Sequence, residues 1–441
     1  MDFDLIRAND AALVRRLRDA HPSLIDFSTG RVLRLLETLG RPQDKIPPVI
    51  HVAGTNGKGS TVTFIRAIAE AAGLKAHVLT SPHLVRFAER IRVAGQLISE
   101  EALSALIDRV EAANDGQPIS FHETNVVIAL LAFAETPADI SIIEVGLGGR
   151  FDCTNVFDAP SVTVITPVDY DHVDWLGPKL ANIAWEKAGI IKRGRPCVTA
   201  RQQEEAFDVI ETEAAKLHAP LIAFGRNAQA HEHEGKLCLE AFGRKLELPR
   251  PGLFGEHQYE NAALAVTALI AHGDVRIRED AYAAGIANAV WPARWQRLKT
   301  GPLGRAAEAR GATLWLEGAH NPHGGRALAK AVARLVAEDP RPVTLIVGMF
   351  GRKDPRGFFA PFAGSGVRVR TVPFSAETHA LPEYLAAAAR ESGLEASVAD
   401  NATDALVQTL AAPGPAPHVI ICGGLHFAGD ILGMSPETWP T

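Results

Sequence analysis

The sequence predicts an α/β protein of two domains, the larger built on a mainly parallel sheet. Three observations carry that prediction. Short apolar runs alternate with longer amphipathic stretches over most of the 441 residues, the pattern of strands joined by crossover helices on both faces of a sheet. A glycine-rich segment containing a lysine, residues 54–60, stands between one such run and the helical stretch after it. The alternation then changes texture at Ala223–Pro249, where short polar–apolar repeats surround HEHEGK and AFGRK. Those are turn sequences between strands of a small antiparallel subsheet.

The elements follow in order. Pro48–Ala53 (PVIHVA) reads as a buried strand, Ser60–Ala72 as the helix after it, and Lys75–Leu79 as the next strand. Ile140–Val145 and Ser161–Thr166 read as two more strands, and Glu256–His272 returns to helix. The polar stretch Arg297–Gly304 (RLKTGPLG) holds glycine and proline and reads as a linker and hinge. Beyond it, Thr313–Leu316, Val343–Val347, Val367–Val372 and His418–Cys422 read as strands of a smaller, Rossmann-like α/β domain. The expected division is residues 1–296, a linker at 297–304, and residues 305–441.

Composition narrows the function. Apolar residues make up 47% and charged residues 22% of the chain, an ordinary globular balance. Forty-five basic against fifty-one acidic residues leave a net charge of −6, the wrong sign for a nucleic-acid-binding surface. The acidic start MDFDLIRAND has no apolar core of a secretory signal. The longest apolar run, Val126–Ala134, falls far short of the ~20 residues that span a bilayer. Cys153, Cys197, Cys238 and Cys422 are widely spaced with no CxxC pair, so neither a disulfide framework nor a cysteine zinc site is expected, and the reducing cytoplasm is the expected location.

Gly54-Thr55-Asn56-Gly57-Lys58-Gly59-Ser60 follows a strand and opens a helix. That is the setting of a phosphate-binding P-loop. Glycines let backbone N–H groups turn toward an anion, the helix N-terminus adds its dipole, and the lysine adds a point charge. Ser60 or Thr61 could hold Mg²⁺ through its hydroxyl. The spacing departs from the strict Walker form: the first glycine lies three residues before Gly57, and Lys58 is followed by Gly59. Glu144 closes a strand just before a glycine-rich turn. At the C-terminal edge of a parallel sheet such a carboxylate can face a ligand crevice and bind a metal. The histidines of HEHEGK, His231 and His233, read as a solvated hairpin.

Eight segments occur in one order: GTNGKGS (54–60), SPHL (81–84), EVGLGGRFDCTNV (144–156), DHVDWLG (171–177), EKAGIIK (186–192), HQYENAA (257–263), EGAHNPHGG (317–325) and GRKD (351–354). Together they cover nearly the whole chain, and in this order the sequence resembles the folylpolyglutamate synthase and dihydrofolate synthase family of the Mur ligase superfamily. The resemblance implies an ATP-dependent carbon–nitrogen ligase. It would join L-glutamate to dihydropteroate and to reduced folates, with ATP converting a carboxylate to an acyl phosphate that the amine attacks. The family also suggests a monomer. Such a site must neutralise phosphates, hold the carboxylate near the γ-phosphorus and exclude water.

By the same resemblance, Ser60, Ser81, Glu144 and His172 are Mg²⁺ ligands, and Lys187 is a carbamylated lysine serving a second metal. A monovalent cation would be a further companion. Lys58, Lys187 and His320 are the catalytic candidates. His257, Gln258 and above all Asn261 would contact ATP together with the 54–61 loop. Arg294 would reach the phosphates, and Glu317 would bind nucleotide where the family usually has aspartate. The GRKD turn would face the same cleft. The large domain would be the ATP-binding, Mur-ligase-like domain with the pterin pocket, and the smaller one the glutamate-ligase domain.

The pterin pocket would draw on Leu24, Ile25, Asp26, Ser120, Phe121, His122, Glu123, Phe151, Asp152 and Cys153. Aromatic faces for stacking and a carboxylate for the pterin N–H groups make chemical sense. Phe121 and Phe151 taken singly read as core residues. The chain departs from the family here: His122 stands where phenylalanine is common, Cys153 where alanine is, and Val126 where threonine is. Gly424 stands where the family often has serine. Alternatives are a monofunctional folylpolyglutamate synthase, a Mur-type cell-wall ligase, which SPHL and the glycine after Lys58 disfavour, and a non-catalytic nucleotide- or pterin-binding regulator.

Overall fold

The structure, a computed structural model, describes residues 3–20, 28–376 and 378–440. The pterin-pocket candidates Leu24, Ile25 and Asp26 lie outside them. The chain forms two compact units. Residues 1–252 and 258–290 make the first, and residues 253–257 and 291–441 the second.

The first unit is built on eight strands: β1 (Val49–Ala53), β2 (Ala76–Leu79), β3 (Ile91–Val93), β4 (Gln96–Leu97), β5 (Ile140–Glu144), β6 (Val162–Ile165), β7 (Cys197–Thr199) and β8 (Leu221–Ala223). Their order is β4-β3-β2-β5-β1-β6-β7-β8. From β2 to β8 the pairing is parallel, while β3 and β4 form an antiparallel edge. Each central strand is buried along its whole length, as near-continuous β-branched runs such as VIHVA, ISIIE and VTVI require. One face packs Phe87, Ile107, Phe121, Val126, Leu130 and Phe133. Elsewhere in this unit Ile165, Leu180, Ile183 and Ile210 form a separate cluster. The helix Lys58–Ala71 follows β1 and lies against the helix Glu279–Asn288.

The expected antiparallel sheet lies within residues 223–249: β9 (Gln229–His233), β10 (Lys236–Ala241) and β11 (Arg244–Leu248), in order β11-β10-β9. Both connections are two-residue hairpins, Glu234-Gly235 and Phe242-Gly243, with all four φ angles positive. That backbone follows the right-handed twist of the strands, and glycine at the second position permits it. His231 and His233 are exposed on β9.

The second unit holds β12 (Gln296–Arg297), β13 (Thr313–Leu316), β14 (Val343–Val347), β15 (Arg368–Thr371), β16 (Glu395–Val398) and β17 (His418–Cys422). Their order is β12-β13-β17-β14-β15-β16, parallel except for β12. Leu328, Val332, Leu345, Phe358, Phe359, Val369 and Ile420 fill its core.

The expected linker at 297–304 is not structureless. Arg297 pairs with Trp315 in the sheet, and Gly301–Glu308 is a helix. Pro302 stands in the first turn of that helix, where a missing N–H costs nothing, so the glycine–proline pair marks a helix start. The chain changes unit at 252–253, at 257–258 and finally at Val290–Trp291, so residues 291–304 belong to the second unit. All four cysteines are unpaired: Cys153, Cys197 and Cys422 are buried, and Cys238 on β10 is half-buried. No helix among the described residues is long and apolar enough to cross a membrane.

Candidate active site

Topology gathers the chemistry of the first unit. β2, β5, β1 and β6 are neighbours and parallel, so the segments after them leave the sheet at one edge, where open α/β sheets bind ligands. These segments are Ser81, the turn after Glu144, the 54–57 loop, and residues 167–172.

The loop turns directly from β1 into the helix Lys58–Ala71. Gly57 has φ +88°, and a Cβ there would lie 2.5 Å from Asn261 Oδ1. Only glycine lets the loop close over that amide. Asn261 is itself buried and donates from Nδ2 to Gln258 Oε1 at 3.0 Å. Thr55 N donates to Pro167 O at 3.0 Å, and its hydroxyl donates to Asp169 O at 2.9 Å, tying the loop to the segment after β6. Ser60 and Thr61 are buried in the first helical turn.

Two lysines converge on one carbonyl. Lys58 Nζ donates to Gly54 O at 3.1 Å and Lys187 Nζ at 2.9 Å. Lys187, on the helix Leu180–Ala188, is 4% exposed. Burial and then the Lys58 charge pull its ammonium down to about 7, against the attraction of Asp171, Glu186 and Asp152. Lys58, Lys187, Gly54, Thr55, Asp171 and His172, with the turn 145–148, line one polar pocket. Glu144 is buried at the end of β5, and its Oε2 accepts from Ser81 N at 3.2 Å. His172 has a left-handed backbone (φ 53°), and its Nε2 lies 3.8 Å from Asp171 Oδ2. The resemblance-derived set Ser81, Glu144, His172 and Lys187 thus occupies a single sheet edge.

The acceptor candidates separate into roles. Ser120 and Glu123 form a capping box at the start of the helix Phe121–Glu135, and Glu123 is also ion-paired with Arg31 at 3.1 Å. Phe121 is buried in the core, whereas Phe151 is 39% exposed and tilts against Trp185. Asp152 is held by Leu147 N at 2.8 Å on one oxygen and by Thr154 N at 2.9 Å and Thr154 Oγ1 at 2.5 Å on the other. His122 Nε2 lies 4.0 Å from Asp152 Oδ2, and burial lowers the pKa of the imidazole. Burial, with Asp152 and Glu123 nearby, pushes the Cys153 thiol well above its ordinary value.

Two neighbours of these candidates, His51 and Arg90, carried no sequence signal, and a third, Asp171, was carried only as the first residue of DHVDWLG. His51, in the middle of β1, shares a 2.9 Å hydrogen bond with Thr154 Oγ1. The Thr154 proton is directed to Asp152, so its oxygen accepts from His51 Nε2–H, and burial drives the His51 pKa down to about 3. Arg90 is buried, donates to His83 Nδ1 at 2.7 Å, and its guanidinium carbon lies 5.6 Å from the Phe121 ring centroid. Asp171 opens the DHVDWLG segment but was given no role from the sequence; it lines the polar pocket.

In the second unit Glu317 follows β13, and its Oε2 accepts from Trp295 N at 2.7 Å. Burial raises its pKa, opposed by Arg294 and by backbone N–H groups. A Cβ on Gly318 would lie 2.3 Å from an Arg294 guanidinium nitrogen, so Arg294 packs on the residue after Glu317. Ala293 and Trp295, on either side of Arg294, both have positive φ, a strained geometry of the kind found at functional sites. Arg294 and Glu317 thus sit close together, while His320 Nδ1 lies 3.0 Å from Gly318 O. His257 belongs to this unit, and burial, with the His323 and Arg294 charges, lowers it to about 4. Gln258 and Asn261 belong to the first unit. In the GRKD turn Arg352 lies over the Phe350 ring at 5.2 Å, and Asp354 caps a short helix.

Comparison with known proteins places this arrangement. Residues 52–269 match the Mur ligase middle domain. The dihydrofolate synthase/folylpolyglutamate synthase of Bacillus subtilis (strain 168) is 40% identical over 324 residues, covering 70% of this chain and 72% of that one. E. coli FolC in complex with DHPP and ADP superposes with a TM-score of 0.84 at 31% identity, covering 96% of both chains. The Yersinia pestis bifunctional folylpolyglutamate synthase/dihydrofolate synthase, complexed with AMPPNP and Mn ion, gives 0.83 at 30% identity, covering 96% of this chain and 97% of that one. By these matches the chain belongs to the folylpolyglutamate synthase/dihydrofolate synthase family of ATP-dependent Mur-type ligases.

Proposed function

We propose that this protein is the bifunctional enzyme of its family, an ATP-dependent ligase joining L-glutamate to dihydropteroate and to reduced folates through an acyl phosphate. The observation that carries the reading is the convergence of Lys58, Lys187, Glu144 with Ser81, and Asp171 with His172 at the ends of four adjacent parallel strands. It supplies what the chemistry needs: cationic and N–H groups for phosphates, oxygen donors for a divalent ion, and a recessed place for the reacting carboxylate.

The chain binds a nucleotide and a divalent metal ion. We assign Mg²⁺ to Ser60, Ser81, Glu144 and His172. Glu144 is a buried carboxylate at a strand end, the donor type a hard cation takes. Bound there, the ion would neutralise phosphate charge as it develops. Lys58 and the helix start hold the transferred phosphoryl group, and Asn261 braces the loop through Gly57. Arg294, Glu317 and His320 serve the nucleotide from the second unit. Lys187 is buried beside a second cation and an acid, so it loses its proton readily. Its neutral amine is the form that adds CO₂, and the resulting carbamate would hold a second Mg²⁺. Asp152 reads the pterin N–H groups with the lone pairs its loop leaves spare. A monomer in the cytoplasm, with a monovalent cation as a further ligand, completes the proposal.

The test is ADP release with Mg-ATP and L-glutamate, comparing dihydropteroate, tetrahydrofolate and no acceptor. Release with both acceptors, lost about a hundredfold or more in Lys58→Ala, is expected. Release with tetrahydrofolate alone would leave a monofunctional folylpolyglutamate synthase, with His122 and Cys153 as the residues responsible. Turnover indifferent to acceptor and glutamate would overturn the assignment.

A further inference from the structure

Three metal-type donors from two separate segments meet beside the turn after β5. A His122 ring nitrogen, an Asp152 carboxylate oxygen and Cys153 Sγ all lie within 4.8 Å of one another, and His122 Nε2 is 4.0 Å from Asp152 Oδ2. Both sides of the cluster are braced. Asp152 is fixed by Leu147 N and by Thr154, and Thr154 is in turn held by His51. Its spare lone pairs are therefore oriented before a ligand arrives. His122 lies in the first turn of a helix locked by the Ser120–Glu123 capping box. Its ring fits against the turn because residue 146 has no side chain: a Cβ there would lie 2.2 Å from His122 Nε2. That nitrogen is sealed from solvent without a hydrogen-bond partner, a state that buried polar atoms rarely hold without a reason.

We propose that His122, Asp152 and Cys153 bind a divalent cation of the zinc class, and that this cation competes with the pterin acceptor. Imidazole, thiolate and a single carboxylate suit a borderline-soft ion and not Mg²⁺, which demands oxygen donors. Three protein donors leave a fourth tetrahedral position open to water. A tetrahedral shell built from Zn–N, Zn–O and Zn–S bonds has edges of about 3.5 Å, so the cluster closes by side-chain shifts of about 1 Å. The competition half rests on the reading of Asp152 as the carboxylate that meets the pterin; the metal half does not.

The test uses the full-length protein, freed of metal and held in excess Mg²⁺. Co²⁺ alone is titrated in while the thiolate-to-metal charge-transfer band is followed. One equivalent should produce the band, and Zn²⁺ should displace it. Cys153→Ala should abolish it, and His122→Phe should weaken Co²⁺ binding at least tenfold. Thermal melts of both variants check that they fold. A missing band, or a band unchanged in Cys153→Ala, overturns the site. In the activity assay Zn²⁺ should raise KM for the pterin acceptor several-fold in the wild type, leave KM for ATP alone, and have no such effect within Cys153→Ala. A Co²⁺ band with an unmoved pterin KM would overturn the competition, and with it the place given to Asp152, while the metal site stands.

Discussion

Lys187 is the residue whose surroundings have the plainest consequence. The unfolded chain keeps a lysine proton up to the ordinary 10.5, whereas the folded chain gives it up near 7. Between those values the unfolded state binds more protons, so stability rises with pH across that window, and the burial penalty is complete below it. Thermal melts in CO₂-free buffer from pH 6 to 10 should show this rise in the wild type and a flatter profile in Lys187→Met. Parallel profiles would mean that Lys187 is solvated or already carries a modification. Lys58 and Glu144 stood out in the sequence because one lies in a glycine turn and the other at a strand end, whereas Lys187, inside a helix, was singled out only by the resemblance. His51 was not, since a histidine inside VIHVA has the pattern of any buried strand residue. Its meaning comes from Thr154, 103 positions away. The capping roles of Ser120 and Glu123 and the outward face of Phe151 likewise depend on packing that no local pattern encodes.

Elements were read where burial imposed a period. β1, β5, β6, β13, β14 and β17 are fully or nearly fully buried apolar runs, and the two hairpins of β9–β11 have their turn residues in sequence. β16 carries an exposed EASV and β7 and β8 are three residues each, too short or too polar to stand out. The 297–304 stretch was misread because glycine and proline punctuate helix starts as well as loops. One contact between elements could not be foreseen at all. Gly285 sits on the helix Lys58–Ala71, and a Cβ there would lie 2.4 Å from Ile68 Cα. The two helices meet backbone to backbone, so Gly285→Leu must push the loop-bearing helix outward. A loss of about 2–3 kcal/mol is expected from such overpacking, read as a lower calorimetric midpoint together with a raised KM for ATP. An unchanged midpoint would show that the helices separate freely.

At the scale of the molecule, nucleotide candidates fall in both units: Lys58 and Asn261 in the first, Arg294 and Glu317 in the second. If one ATP engages both, the chain should change its solution scattering between the ligand-free form and the form saturated with Mg-ATP, acceptor and glutamate. Any such bend would involve the crossings at 252–253, 257–258 and Val290–Trp291, all upstream of the 297–304 stretch. Superimposable profiles would contradict closure. Following such a change in real time calls for a reporter, and the thiol distribution provides one without engineering. Three of the four thiols are at most 6% exposed, leaving Cys238 on the antiparallel sheet as the accessible one. A bulky maleimide dye should mark the native protein once, on β10 and away from the polar pocket's lining, giving a fluorescent beacon on the first unit in the unmutated protein.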